Sequence, residues 1–183
     1  MQRKIIAILG LPGSGKTEVI NYLMEKFKWP KVYFGDVVFD ELKIRGLDIN
    51  EKNERIVRED LRNKFGRLHF AGKIIEKIGN IRDDANILVE SLYDWQEYLF
   101  FKEKFREDFI AIAVYASPKT RYERLGKRKI RPLTLGEAQG RDHAQIENIF
   151  QAGPIAMANY TVDNEETFEY LYKQIDEIIN KIK

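Results

Sequence analysis

The feature that most constrains the fold is a glycine-rich segment near the start of the chain, between a strand-like run and a helix-like run. It matches the pattern GxxxxGK[ST] at every fixed position, and its residues are Gly10, Leu11, Pro12, Gly13, Ser14, Gly15, Lys16 and Thr17. The apolar run Lys4–Leu9 precedes it, and apolar residues recur at helical spacing after it. In this context backbone N–H groups and the positive end of a helix converge on one point, which predicts a phosphate site. A turn that only caps a helix is the alternative.

The residue types in this segment suit the triphosphate of a nucleotide. Glycines let the backbone approach a phosphate closely, because no Cβ intervenes and φ can become positive. Lys16 would bridge the β- and γ-phosphates, and the hydroxyl of Thr17 is suited to coordinate Mg²⁺. The sequence therefore predicts nucleotide binding on Gly10–Thr17, with Thr17 as one ligand of the metal.

Short apolar runs alternate with longer stretches of helical period along the rest of the chain, a pattern typical of βα units around a parallel sheet. After Lys4–Leu9 we expect strands over Lys31–Phe34, Asn86–Val89, Phe109–Ala116 and Tyr160–Val162. The near-continuous hydrophobicity of Phe109–Ala116 indicates a central strand that is covered on both faces. The predicted fold class is α/β, with a five-stranded parallel sheet and helices on both of its faces.

Composition fits one ordinary globular domain, which we expect to span residues 1–183. The chain has no cysteine, which excludes a disulfide framework and a thiol nucleophile, and its two histidines lack the spacing of a zinc site. The net charge of +2 argues against a dedicated nucleic-acid module. No apolar run near the start is long enough for a membrane span or a signal peptide, so we expect a soluble, cytoplasmic protein.

Two acidic residues at strand ends are candidates for the chemistry around the phosphates. Glu90 follows an apolar strand, and a carboxylate at the C-terminal end of such a strand faces the ligand crevice of an open α/β sheet, where it could hold Mg²⁺. An ordinary charge in solvent is the alternative. Asp36 follows the second strand and could orient an acceptor or reach the metal, or it could simply N-cap a helix over Val37–Arg45.

A set of arginines steps along the chain by 3, 4 and 3 positions, so a helix through them would place all their guanidinium groups on one face. The set is Arg121, Arg124, Arg128 and Arg131, and Arg141 follows it. Such a face suits an anion, and arginines that close over a γ-phosphate stabilise charge in phosphoryl transfer. A solvated basic face, or a nucleic-acid patch over Lys127–Arg131, is the alternative.

A second arginine set, Arg55, Arg58 and Arg62, also shares a helical face, and an acceptor phosphate could lie against it. Glu54 stands four positions before Arg58, which is the spacing of an ordinary surface ion pair. We therefore interpret this set as surface residues.

The order of these motifs resembles the nucleoside monophosphate kinase group, and within it an archaeal set of nucleotide kinases related to adenylate kinase and dephospho-CoA kinase. The resemblance covers most of the chain. The matching stretches are the glycine-rich loop, Gly35–Val38, the acidic strand end at Glu90, Ala116–Pro118, the Arg124/Arg128 pair, Arg141–Asp142 and Ala156–Asn164.

This resemblance implies a P-loop kinase with ATP and Mg²⁺, in which Lys16, Arg124 and Arg128 lie near the transferred phosphoryl group. It also implies a mobile acceptor-binding insertion over residues 36–66 and a lid over 126–142. Two departures concern the acceptor: Phe39 stands where adenylate kinase has an AMP-binding arginine, and Glu90–Tyr93 replaces an Asp-Gly pair followed by arginine.

The predicted function is therefore an ATP-dependent kinase of a small molecule, a nucleotide or a nucleotide-like alcohol. A phosphate acceptor needs no base, whereas a hydroxyl acceptor benefits from a carboxylate within reach, and Asp36 would serve there. The alternative function is a nucleotide-gated switch or slow ATPase that binds RNA or a protein through residues 127–131.

Overall fold

Five strands form the centre of the molecule, close to the positions that the sequence predicts. The structure is a computed structural model and describes residues 3–82 and 84–182. The strands are β1 (Ile5–Leu9), β2 (Lys31–Tyr33), β3 (Ile87–Glu90), β4 (Phe109–Tyr115) and β5 (Tyr160–Asp163). They pair in parallel throughout, in the order β2-β3-β1-β4-β5. The predicted parallel sheet is therefore confirmed. Strand β1 is its central strand, and β4 lies beside it.

Helices connect the strands, as parallel pairing requires. They are α1 (Lys16–Phe27), α2 (Gly35–Ile44), α3 (Glu51–Phe65), α4 (His69–Asn80), α5 (Trp95–Phe105), α6 (Pro118–Gly126), α7 (Leu135–Ile149), α8 (Ala152–Ala156) and α9 (Phe168–Ile182). A short 3₁₀ turn, Arg106–Asp108, leads into β4. Within the described residues, no helix has the length and apolar character needed to cross a membrane.

The two faces of the sheet carry separate apolar clusters because side chains alternate along each strand. Ile5, Ala7 and Leu9 of β1 face α2–α5, whereas Ile6 and Ile8 face α1 and α9. Helices therefore cover both faces, and the fold has the three layers that the sequence predicts.

One local prediction is wrong, and one of the two alternatives for Asp36 is excluded. Helix α6 ends at Gly126, so Arg128 and Arg131 lie outside it and the four arginines do not share one helical face. The chain turns there toward Pro132, whose ring cannot continue a helix, and Leu133 donates its N–H to the carbonyl of Leu125. Helix α2 begins at Gly35, with Phe34 as its N-cap, so Asp36 lies in the first turn and is not the N-cap.

Candidate functional site

The glycine-rich loop joins β1 to α1 in a conformation that suits an anion. Gly10, Gly13 and Gly15 have φ values of 143°, 82° and 101°, which side chains rarely tolerate. Gly15 is the N-cap of α1, and no side chain caps this helix end. The hydroxyl of Ser14 is buried without a hydrogen-bond partner among the described residues. Free N–H groups at a helix start, together with a buried unpartnered hydroxyl, fit a bound phosphate group.

Three side chains from distant parts of the chain hold the carbonyl groups of this loop. Asn164 donates from Nδ2 to the carbonyl of Ser14 at 2.7 Å, and Gln151 donates from Nε2 to that of Gly10 at 3.0 Å. Arg121 donates from Nη1 to the carbonyl of Pro12 at 3.1 Å. Because these hydrogen bonds fix the carbonyl groups, the loop is pre-organised, which lowers the entropy lost when a ligand binds.

Arg121 is not free to contact a phosphate. Its guanidinium forms a two-pronged ion pair with Asp142 of α7, with Nη1–Oδ1 at 2.9 Å and Nη2–Oδ2 at 2.6 Å. It also donates from Nε to the carbonyl of Ala116, and Tyr122 donates its hydroxyl to Asp142. Both members of the pair are buried, so Arg121 ties α6 and α7 to the loop.

Lys16 lies at the mouth of the loop, where its amino group donates to the carbonyls of Gly10 at 2.7 Å and Leu11 at 3.0 Å. The same amino group lies 5.6 Å from the ring centre of Tyr93. Burial, then the positive charges of Arg128 and Arg141, lower the pKa of Lys16 to about 8. These two arginines, one from the loop after α6 and one from α7, therefore bring further positive charge to Lys16.

The residues predicted to hold Mg²⁺ lie at the same edge of the sheet. Thr17 is the second residue of α1 and is exposed, and Glu90 ends β3 beside β1. The carboxylate of Glu90 accepts from Lys31 Nζ at 2.6 Å. Within the described residues, no three acidic or histidine side chains cluster closely enough to hold a metal ion. Oxygens of a bound phosphate would therefore have to complete the coordination of Mg²⁺.

The remaining predicted site residues, Arg124, Arg128 and Asp36, differ in burial and in hydrogen bonding. Arg124 donates from Nη2 to the carbonyl of Asn164 at 2.8 Å, and its Nη1 is buried without a partner among the described residues. Arg128 is exposed. Asp36 is half-buried, and in the part of the chain that the structure describes its carboxylate forms no hydrogen bond or ion pair.

A polar cavity of about 400 Å³ lies over the ends of β2 and β3, which is within the size range of small-molecule sites. Its positive residues are Arg58, Arg62, Arg131 and Arg141, and its acidic residues are Glu54, Asp94 and Glu97. Sequence reasoning set Arg58 and Arg62 aside and missed Tyr93, Asp94 and Glu97. Asp94 had a detectable signal, since it directly precedes a helix and accepts from the N–H of Gln96 as its N-cap.

Comparison with protein families identifies relatives of this chain. A family model described as an AAA domain matches residues 6–143. A UPF0200 protein of Methanocaldococcus jannaschii is 32% identical over 180 residues, which are 97% of this chain and 90% of that protein. A UPF0200 protein of Thermococcus kodakarensis is also 32% identical, over 97% of this chain and all of its own length.

Solved structures show the same fold at low sequence identity. TT1252 from Thermus thermophilus aligns over the whole of both chains with a TM-score of 0.64 and 17% identity. A gluconokinase from Sinorhizobium meliloti aligns over 99% of this chain and 95% of its own, with a TM-score of 0.62 and 15% identity. A shikimate kinase from Bacteroides thetaiotaomicron aligns over 98% of each chain, with a TM-score of 0.62 and 12% identity. The fold is therefore that of P-loop kinases.

Proposed function

Because this chain belongs to the UPF0200 family and carries an AAA domain with a kinase-like fold, we propose that it is an ATP-dependent kinase of a small molecule. The observation that carries the proposal is the arginine-lined cavity beside the phosphate-binding loop. Arg141 lines this cavity and also lowers the pKa of Lys16, so the cavity and the loop share one positive region. Phosphoryl transfer requires a site for the phosphoryl donor next to a separate site for the acceptor, and a positively charged cavity suits an anionic acceptor.

The residues of the loop fit a nucleoside triphosphate. The N–H groups of Gly13, Gly15, Lys16 and Thr17 and the amino group of Lys16 would hold the phosphates, and Thr17 and Glu90 would hold Mg²⁺. When bound, ATP supplies the phosphoryl group and Mg²⁺ neutralises charge between its phosphates. Arg128, and Arg124, whose buried Nη1 has no partner in the described part of the chain, would stabilise the charge that develops on the transferred group.

The acceptor would bind in the cavity, in the region of the helical insertion over residues 36–66, and residues 126–142 would close over it. Arg58, Arg62 and Arg131 favour an anionic acceptor such as a nucleotide or a nucleotide-like compound. A phosphate group would attack without a base, whereas a hydroxyl group would need one, and Asp36 is the candidate. Asp36→Asn should abolish turnover but preserve ATP affinity if the acceptor is a hydroxyl group, and unchanged turnover would exclude that role.

The experiment that tests this proposal is ADP release with and without acceptors. The panel contains nucleoside monophosphates, dephospho-CoA, shikimate and gluconate, with a no-acceptor control and the Lys16→Ala variant. The proposal predicts release that depends on one class of acceptor and is lost in Lys16→Ala. Release that ignores every acceptor but rises with added RNA would contradict it and favour a switch that binds through residues 127–131.

A further inference from the structure

Tyr93 is an aromatic residue beside the glycine-rich loop to which the function proposed above gives no role. It follows β3 and is half-buried, and its ring centre lies 5.6 Å from the amino group of Lys16, which is over the ring. The same side chain lines the cavity over the ends of β2 and β3. Tyr93 therefore lies where the glycine-rich loop and the cavity meet.

The chain on both sides of Tyr93 is fixed by the fold. Leu92 is fully buried in the apolar cluster that packs against α2–α5. Asp94 caps α5 and also accepts from Arg67 Nε at 2.6 Å. The hydroxyl of Ser91 donates to the hydroxyl of Tyr93 at 3.0 Å. The ring is therefore supported by its neighbours, as expected of a residue that positions another.

The backbone between β3 and Tyr93 has an unusual conformation. Ser91 has a φ of 69°, in the left-handed region that glycine adopts readily and serine rarely. Residues in such conformations persist only where their surroundings fix them, and they cluster at functional sites. This turn directly follows the last residue of β3, Glu90, and leads into the segment whose ring lies against Lys16.

The amino group of Lys16 has three neighbours that accept a cation. An ammonium group carries three N–H donors. The carbonyl groups of Gly10 and Leu11 accept from it, and the electron-rich face of the Tyr93 ring attracts it electrostatically. Lys16 is therefore held at the mouth of the loop before any ligand is bound.

A ring face suits this position better than a carboxylate would. The positive charges of Arg128, Arg141 and Arg121 act against that of Lys16, so its amino group gains from a neighbour that attracts cations. A carboxylate there would also repel the phosphates of a nucleotide, whereas a neutral ring does not. A lysine side chain that is already held loses less rotamer entropy when it binds a ligand.

We propose that Tyr93 is a positioning residue: its ring face holds the amino group of Lys16 at the mouth of the glycine-rich loop, where the lysine binds the phosphates of a nucleotide. This inference rests on the proposed function, since Lys16 acts there on the phosphoryl donor. Tyr93 acts through Lys16 and needs no contact with the nucleotide. The role requires the ring of Tyr93 and not its hydroxyl group.

NMR spectroscopy of the full chain tests the contact itself without a ligand. Protons over a ring face are shifted upfield, so the side-chain protons next to the amino group of Lys16 should resonate upfield of those of exposed lysines. Lys16→Ala identifies their signal by its loss. The upfield shift should persist in Tyr93→Phe and disappear in Tyr93→Leu. A Lys16 signal among those of the exposed lysines in the parent, or an unchanged signal in Tyr93→Leu, would overturn the inference.

Calorimetry with magnesium and a non-hydrolysable ATP analogue tests the consequence for binding. Tyr93→Leu should weaken the affinity about threefold or more, as expected for the loss of one cation–π contact, and Tyr93→Phe should stay within about twofold of the parent. Thermal melting checks that the variants are folded. Tyr93→Met, which is also apolar and has no ring, takes the place of Tyr93→Leu if the latter does not fold.

The matched control is Tyr33→Leu. Tyr33 is a half-buried tyrosine of the same cavity, but its ring lies 5.8 Å from the amino group of Lys31. This control should bind the analogue with the affinity of the parent. A loss in Tyr33→Leu or in Tyr93→Phe as large as that in Tyr93→Leu would overturn the inference.

Failure of the inference is distinguishable from failure of the proposed function. If the parent binds the ATP analogue and Tyr93→Leu binds it equally well, the inference is wrong and the donor side of the proposed function stands. If Tyr93→Leu binds more weakly as predicted but no acceptor is phosphorylated, the kinase proposal is wrong and the role of Tyr93 stands. If the parent does not bind the analogue, both are wrong.

Discussion

Removing the carboxylate of Asp142 should strongly destabilise the protein, because this carboxylate neutralises a buried guanidinium. Arg121 is 4% exposed and Asp142 3% exposed, and they share two hydrogen bonds, at 2.9 and 2.6 Å. In Asp142→Ala, Arg121 keeps its bonds to the carbonyls of Pro12 and Ala116 but loses its counter-charge. Stranding one member of a buried pair costs about 3–5 kcal/mol, against a total stability of about 5–15 kcal/mol for a folded domain.

Urea unfolding and thermal melting by circular dichroism measure this loss. For a chain of this size, the melting temperature should fall by roughly 6–20 °C. The matched control is Asp40→Ala, because Asp40 pairs with Lys77 at a similar distance, 2.7 Å, but on the surface. Exposed pairs contribute about 0–1 kcal/mol, so the control should barely change.

A second substitution tests the cause of the loss. Arg121→Met in the Asp142→Ala background removes the stranded charge and should restore part of the lost stability. A loss in Asp142→Ala no greater than that in Asp40→Ala, or a double variant less stable than the single one, would refute the reasoning.

Three further outcomes follow from the site. Affinity for an ATP analogue, measured by calorimetry, should fall as pH rises from 7 to 9, because Lys16 loses its proton near pH 8; unchanged affinity would contradict the lowered pKa. Gly13→Ala should weaken binding of the ATP analogue tenfold or more, because φ at Gly13 is 82° and a Cβ there would lie 2.7 Å from the carbonyl oxygen of Arg121. Binding at the parental affinity would contradict the geometry of the glycine-rich loop. The folded chain keeps a proton on Glu97 that the unfolded chain loses above about pH 4.5, so parental stability should fall toward pH 8 by up to about 1.4 kcal/mol per pH unit. Glu97→Gln should remove this pH dependence. The urea midpoints of Glu97→Gln and the parent are compared at pH 5 and at pH 8, and the same difference at both pH values would contradict the prediction.

The sheet and the glycine-rich turn between β1 and α1 could be predicted from sequence because their signals are local. An apolar run marks each buried strand, and the strand ends differ from the predicted ones by one residue at most, as for Glu90, which belongs to β3. The N-cap of α6 at Ser117 and the capping box of α7 at Thr134 and Glu137 are equally local, because each joins residues three positions apart.

The site around the loop depends on contacts between residues far apart in the chain. Arg121 has the helical spacing of a phosphate-binding arginine, yet its partner Asp142 lies 21 residues away and fixes it as a buried structural residue. Glu97 has the sequence signal of an ordinary first-turn acid, because only tertiary packing buries it. Arg58 and Arg62 have the spacing of surface ion pairs, and they line the cavity because the connection through α3 folds over the sheet edge.

Calorimetry with magnesium and a non-hydrolysable ATP analogue tests the central claim most directly, namely that the loop from Gly10 to Thr17 binds a triphosphate. Parent, Lys16→Ala and, as a control at an exposed lysine, Lys181→Ala are compared. We predict binding by the parent and the control, with affinity at least about tenfold weaker in Lys16→Ala, the ratio that corresponds to 1.4 kcal/mol. Equal affinity in parent and Lys16→Ala, or no binding by the parent, would contradict the claim.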